Sequence, residues 1–348
     1  MLEANGNRLV VHAYKQALIV PRQKKRCHRS RTGCFADGKS VPWSNSGMVF
    51  RPSTPQVSDE PLGKARYVDK EVLFIGTLWC AWGHLITDFS RHLWPLLSAG
   101  PDLSVAYAVG GPRQKLPRNF IQLLEALGVS SDRLIEVREP MRFRTVYFGE
   151  PSFWHDTSCG RCVWTSEYAE TVDAVIKGIL TGGSNPWRRI YLTRTGLQKD
   201  RKDFGEKTIE RAYQERGFQV VAPEKRSFVE LVRLLAETEV LAATEGSVSH
   251  NALFLPKGAR IEILRKCDSA NEYQDAINAL RELNVSVFNV SMGNMLAVPS
   301  APWRGPFLIG ITPSLAAHLG CAPVKASRSE WFKCLLCRVK MFLKAHRI

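Results

Sequence analysis

The sequence has no run of the ~18 uncharged apolar residues that a membrane-spanning helix requires. Its longest candidate, residues 72–86, is broken by Gly76, Gly83 and His84. It also has no Gly-x-Gly-x-x-Gly and no P-loop pattern, which disfavours a dinucleotide cofactor and a P-loop ATPase. The first residues lack a basic segment followed by an apolar one, so the expectation is a chain without a signal peptide, cytoplasmic and reduced. Nine cysteines, an odd number, do not read as a disulfide framework. Two Cys-x-x-Cys pairs occur, Cys159/Cys162 and Cys334/Cys337. His155 could join the first pair around a metal, but a fourth ligand is missing; buried thiols are the expectation, with no metal assigned.

What is present is a 348-residue chain, 45% hydrophobic and 23% charged, too apolar for disorder and long enough for two domains. Its net charge of +15 is concentrated at the ends. Residues 1–40 carry nine Lys/Arg against two acids, and residues 325–348 carry seven against Glu330 alone. The body between them is nearly neutral. Basic tails on a neutral body suit an anionic surface better than a nucleic-acid groove, and no nucleic-acid module is recognisable.

Residues 1–68, rich in Arg, Pro, Ser and Gly, read as a basic extension with loose or edge-strand structure. From residue 72 onward apolar runs of strand length alternate with helical spacing. The first half predicts strands at 72–75, 104–109, 134–137 and 145–148 and helices over 83–97, 119–127 and 165–180. The cluster Thr181-Gly-Gly-Ser-Asn-Pro186 is the best boundary in the chain. Beyond it, strands at 189–193, 218–221, 240–243, 261–264 and 285–288 alternate with helices over 207–216, 227–237, 248–255 and 272–283. Ser227 and Glu230 form a capping box. This alternation predicts a parallel sheet with right-handed crossovers, whose ligands bind at the carboxyl ends of the strands. The expected divisions are therefore 1–68, 69–183, 184–298 and a C-terminal segment, 299–348.

Three strand ends carry polar residues. Arg194 leaves the strand at 189–193 and Arg201 follows seven residues later; two guanidinium forks can grip a diphosphate from two sides. A solvated charged loop is the alternative, and Glu206 could cap the next helix or fix one of the arginines. The second place is Glu245-Gly246-Ser247-Val-Ser-His250-Asn251, where a strand, a glycine turn and a helix start present N–H groups to an anion. Ser247 can add a hydroxyl, and His250 and Asn251 either reach a bound sugar nucleotide or brace the short helix. The third is His84 and Asp88, four residues apart on one helical face, with Arg91 and His92 a turn further. A carboxylate beside an imidazole is a plausible general base; a buried His with a surface Asp is the alternative.

Together these motifs resemble glycosyltransferase family 61. Its His-x3-Asp helix ending in Pro-Leu is matched by His84, Asp88, Pro95 and Leu96. Its strand ending in Thr-Arg with a second Arg a loop later is matched by Thr193, Arg194 and Arg201. A Gly-Phe segment running to Pro-Glu is matched by Gly217, Phe218, Pro223 and Glu224. The final glycine turn is matched by Gly246, Ser247, Asn251 and Phe254, followed by a strand carrying Glu262. One departure is Glu245, where the family often has His, while a His stands at 250.

The resemblance implies a GT-B-like α/β fold, two Rossmann-like domains facing across a cleft, and inverting transfer from a nucleotide-sugar donor. The acceptor would be a hydroxyl of a glycan or lipid-linked molecule, as in surface or capsular polysaccharide synthesis. Asp88 would be the general base, oriented or replaced by His84. Arg194, Arg201, Glu224, Glu245, Gly246, Ser247, His250 and Asn251 would hold the donor. No Asp-x-Asp of the metal-dependent GT-A kind occurs, so no cofactor or metal is expected. An inactive scaffold relative and a basic nucleic-acid-binding protein remain the alternatives.

At the C-terminus, Phe332, Leu335, Leu336, Val339, Phe342 and Leu343 share one helical stripe flanked by Lys and Arg. That pattern predicts either a peripheral helix on the inner face of an anionic membrane or a helix docking the stripe on the first domain.

Overall fold

The computed structural model describes residues 9–21, 32–44, 65–110, 115–180, 188–197, 203–268, 271–293 and 305–346. The chain divides into two compact units, Met1–Gly182 and Gly183–Ile348. Among the described residues no helix is long and apolar enough to cross a membrane.

The first unit is built on a mixed eight-stranded sheet. Strands Met141–Gly149, Arg66–Leu78, Ser104–Val109 and Leu134–Glu136 lie side by side and parallel. Where a Rossmann-like unit would be parallel throughout, strands from the first 40 residues join this sheet antiparallel. Val11–Lys15 pairs with Met141–Gly149, as does Leu18–Val20, which also pairs with Gly33–Ala36. Ala17, Ile19 and Cys34 are wholly buried against Val72, Phe74 and Phe143. The described part of residues 1–40 is thus integral to the sheet and its core. Its pairings with Met141–Gly149 span more than a hundred residues, so local pattern could not reveal them.

The second unit holds a five-stranded, fully parallel sheet in the order Gln219–Val221, Arg189–Leu192, Val240–Thr244, Arg260–Arg265, Asn284–Asn289. Counted along this sheet's own strands, the order is the 2-1-3-4-5 of a doubly wound α/β fold. Its connecting helices carry the expected stops and starts. Gly217 (φ +78°) closes Glu206–Glu215, and the Ser227–Glu230 capping box opens Phe228–Leu235. Tyr191, Tyr213, Phe218 and Ile309 pack with Leu315 and Leu319 of helix Pro313–Leu319 in one core. Glu262, buried in mid-strand, accepts the Tyr213 hydroxyl at 2.8 Å and pairs with His318 at 3.0 Å, tying two helices to the sheet.

All eight described cysteines are free thiols. His155 and Cys162 face each other on the Phe153–Asp156/Arg161–Trp164 hairpin, where Cys159 is exposed. Among the described residues no three His, Cys, Asp or Glu side chains gather in ligand geometry.

Candidate active site

In the first unit, strand Arg66–Leu78 runs at its carboxyl end into the segment predicted as a helix over 83–97. The segment is helical, but not as one α-helix. A short α turn, Trp82–His84, passes into a π turn, Leu85–Phe89, then two 3-10 turns, Ser90–His92 and Trp94–Leu97. Pro95, which has no N–H to give, lies in the last of them. The irregular path is held by hydroxyls that satisfy its carbonyls. Thr87 donates to Gly83 O, Ser90 donates to Ile86 O at 2.6 Å, and Tyr168 donates to the same oxygen at 2.9 Å. The strand end at Gly149 allows the close approach of this segment, since a Cβ there would lie 2.7 Å from Pro95 Cγ.

Within this frame the His84–Asp88 pair forms. Nδ1 of His84 stands 2.5 Å from Asp88 Oδ2. The Asp88 side chain has no exposed surface, whereas that of His84 is 30% exposed. The ring nitrogen facing a carboxylate carries the proton, so Nε2 is the basic nitrogen of the pair. Arg91 and His92, the next turn, serve the fold. Arg91 Nε–H donates to His92 Nε2 at 3.0 Å, and His92 Nδ1–H donates to Gly149 O at 2.9 Å. Burial and the adjacent Arg91 charge push His92 down to about 3, so it is neutral. Burial also pushes the neighbouring Cys80 thiol up to about 11, which keeps it from being a thiolate nucleophile.

In the second unit, strands Arg189–Leu192 and Val240–Thr244 are the neighbours between which the sheet order reverses. Ligands of such sheets bind outside the carboxyl ends of those strands. Leu192 is paired with Ala243, so Arg194 and Glu245 emerge from adjacent strand ends. Arg194 is fixed twice. Its N–H donates to Glu206 Oε1 at 3.1 Å, and its guanidinium lies 3.6 Å from Asp203 Oδ2. Behind it Lys266 holds both Asp203 oxygens, at 3.1 and 3.2 Å, and Tyr191 OH donates to Glu206. Burial and the Asp203 charge push Glu206 up to about 7. Burial also raises Glu245, which pairs with Arg265 at 3.6 Å. Glu206, raised to near neutrality, lightens the negative charge beside Arg194 and Lys266.

The turn after Glu245 depends on Gly246, whose φ of +131° disfavours any side chain. Gly246 N–H donates to Ser249 Oγ at 3.1 Å, and Ser249 Oγ–H returns a bond to Gly246 O. Ser247 is exposed on this turn. Asn251 and His250 lie beneath it, buried; Asn251 donates to Val248 O, and Asn271 Nδ2 donates to His250 Nε2. Glu224 is exposed on the neighbouring turn, with Oε1 close against Gly196. Arg201 lies outside the described residues. Sequence reading brought forward Arg194, Glu245 and Gly246 but missed Asp203 and Lys266. A lysine directly after a parallel strand, as Arg194 follows its own, was the available signal.

The sequence model described as Glycosyltransferase 61 matches residues 82–261, just over half of the chain, and the protein belongs to that family of glycosyltransferases. Its matched region begins two residues before His84 and ends within the strand that carries Glu262. No curated protein matches the chain. Membership implies a sugar donor and an acceptor in general terms.

Proposed function

We propose that the protein is a nucleotide-sugar-dependent, inverting transferase with a GT-B division of labour. The second unit holds the donor diphosphate at the carboxyl ends of its strands, and the first activates a hydroxyl of a glycan or lipid-linked acceptor of surface polysaccharide type. The observation that carries this reading is the His84–Asp88 pair, with the carboxylate sealed and the imidazole open. Asp88, in this reading, orients His84 and stabilises the imidazolium, while His84 Nε2 takes the acceptor proton. The freed oxygen attacks the anomeric carbon from the face opposite the diphosphate, the sugar–phosphate bond breaks, and its electron pair leaves with the diphosphate. Arg194 meets the charge that develops there. The raised Glu206 supports this role, since a fully charged acid there would repel a diphosphate.

The test pairs binding with turnover. A thermal-shift panel of nucleoside diphosphates identifies the nucleotide, since a ligand at a hundred times its Kd stabilises by about 2.7 kcal/mol. Donor hydrolysis with the matching nucleotide sugars then gives a rate. His84→Gln and Asp88→Asn should keep nucleotide affinity while turnover falls about 10²–10⁴-fold. Near-normal turnover in both variants removes the pair from the mechanism.

A further inference from the structure

The C-terminal helix, Arg328–His346, has two unlike faces. One docks onto the second unit. Cys334 is wholly buried against Phe204 and Leu308, Arg338 donates to Pro306 O at 2.8 Å, and Glu330 accepts the Gly205 N–H. The stripe read from the sequence is not the docked face. Phe332, Leu336, Val339 and Leu343, at i, i+4, i+7 and i+11, are 39–55% exposed. Trp331 and Phe342 border them on one side, also exposed. Of the sixteen large apolar side chains exposed among the described residues, six lie on this one helix, so the patch is contiguous rather than scattered.

We propose that this face lies on an anionic lipid bilayer, in the headgroup plane and without crossing it. Charge selects this occupant. Lys333 and Lys340 are exposed along the other border of the stripe, next to Leu336. The segment from 325 onward has seven basic residues and one acid, and that acid, Glu330, is turned into the fold and bonded to Gly205 and Lys333. A second copy pairing through the same face would bring two strongly cationic helices together, whereas a bilayer bearing phosphatidylglycerol attracts them. Trp331 has the amphipathic ring that prefers the headgroup level. Lysine stems can lie along the stripe while their ammonium groups reach phosphate. The docked face fixes the helix to the second unit, so the surface is presented without a linker. This inference does not depend on the transfer chemistry proposed above.

Flotation of the full chain with vesicles tests it, using phosphatidylcholine alone and phosphatidylcholine with phosphatidylglycerol. Binding is expected to the mixed vesicles, to weaken at high salt, and to be at least about tenfold weaker on neutral ones. Leu336→Ser/Leu343→Ser should lower binding to the mixed vesicles by about tenfold or more while leaving the melting temperature unchanged, because both side chains already face water. Lys333→Glu/Lys340→Glu should abolish the preference for anionic lipid. The proposal is overturned if the wild type fails to float, or if the leucine variant floats as well as the wild type. It is equally overturned if the wild type forms a dimer by light scattering that the leucine substitutions dissolve, which would make the stripe a self-association face.

Discussion

The two units reach a polar strand end by opposite means. In the first, a broken helix is held by hydroxyls and a neutral imidazole, and the pair it presents is small and open on one side. In the second, the strand end rests on a cluster of buried ionisable groups, with Asp203, Glu206 and Lys266 all under 8% exposed. The difference matches what each site can do. A group that must move a proton works best where one atom is accessible and its partner is fixed. A group that must hold an anion works best when its positive charge is preorganised and cannot relax away.

Breaking the charged side should have the largest effect. Lys266 holds both oxygens of Asp203 from within the core and lies 5.0 Å from the Phe307 ring centre. Lys266→Met leaves Asp203 and Glu206 as neighbouring buried acids without that ammonium, so unfolding free energy should drop by about 3–5 kcal/mol in denaturant titrations of the full chain. A loss under about 1 kcal/mol, the range of surface pairs, would mean that the cluster is solvated after all. Arg194→Ala comes next. If the proposed donor site is right, it removes a charge-assisted phosphate contact, so affinity for whichever nucleoside diphosphate binds should weaken by roughly 1.5–3 kcal/mol by calorimetry. Unchanged affinity would take the donor site away from this strand end.

The second unit was legible because its logic is local. Short apolar runs, the Gly217 helix stop and the Ser227 capping box predict all five strands within a residue or two. Its binding edge follows from the strand order, which local pattern only implies. The first unit was less legible because its partners are remote. Val11 pairs with Gly149, and Ile86 O takes its second hydroxyl from Tyr168, 82 residues on. Periodicity over 83–97 registered a helical face but not the π turn, since the His84–Asp88 spacing suits either geometry. The same limit applies to the C-terminal stripe. A period of 3.6 identifies an apolar face without saying whether it turns inward, and here the cysteines and Arg338 took the inward side. Asp203 and Lys266, 63 residues apart, are the sharpest case, because each alone reads as a surface charge.

The subtlest expected difference between the units is the sign of their pH dependence. His92 is held near 3 in the fold against 6.5 in the open chain. As pH falls below 6.5 the unfolded chain takes up that proton first, so stability is lost progressively toward pH 3. Glu206 behaves in the opposite sense. Its acid is raised to about 7 from 4.5, so the unfolded chain gives up the proton first, and stability is lost as pH rises from 4.5 toward 7. His92→Gln can keep both hydrogen bonds and should flatten the acid limb by up to about 1.4 kcal/mol per pH unit. Glu206→Gln should flatten the limb approaching neutrality by a similar or smaller amount, since its carbonyl can still accept from Tyr191 and Arg194. Melting curves collected from pH 4 to 8 on the wild type and both variants separate the two limbs. If each substitution shifted stability equally at every pH, neither group would titrate on unfolding, and the contrast between the two units would lose its electrostatic basis.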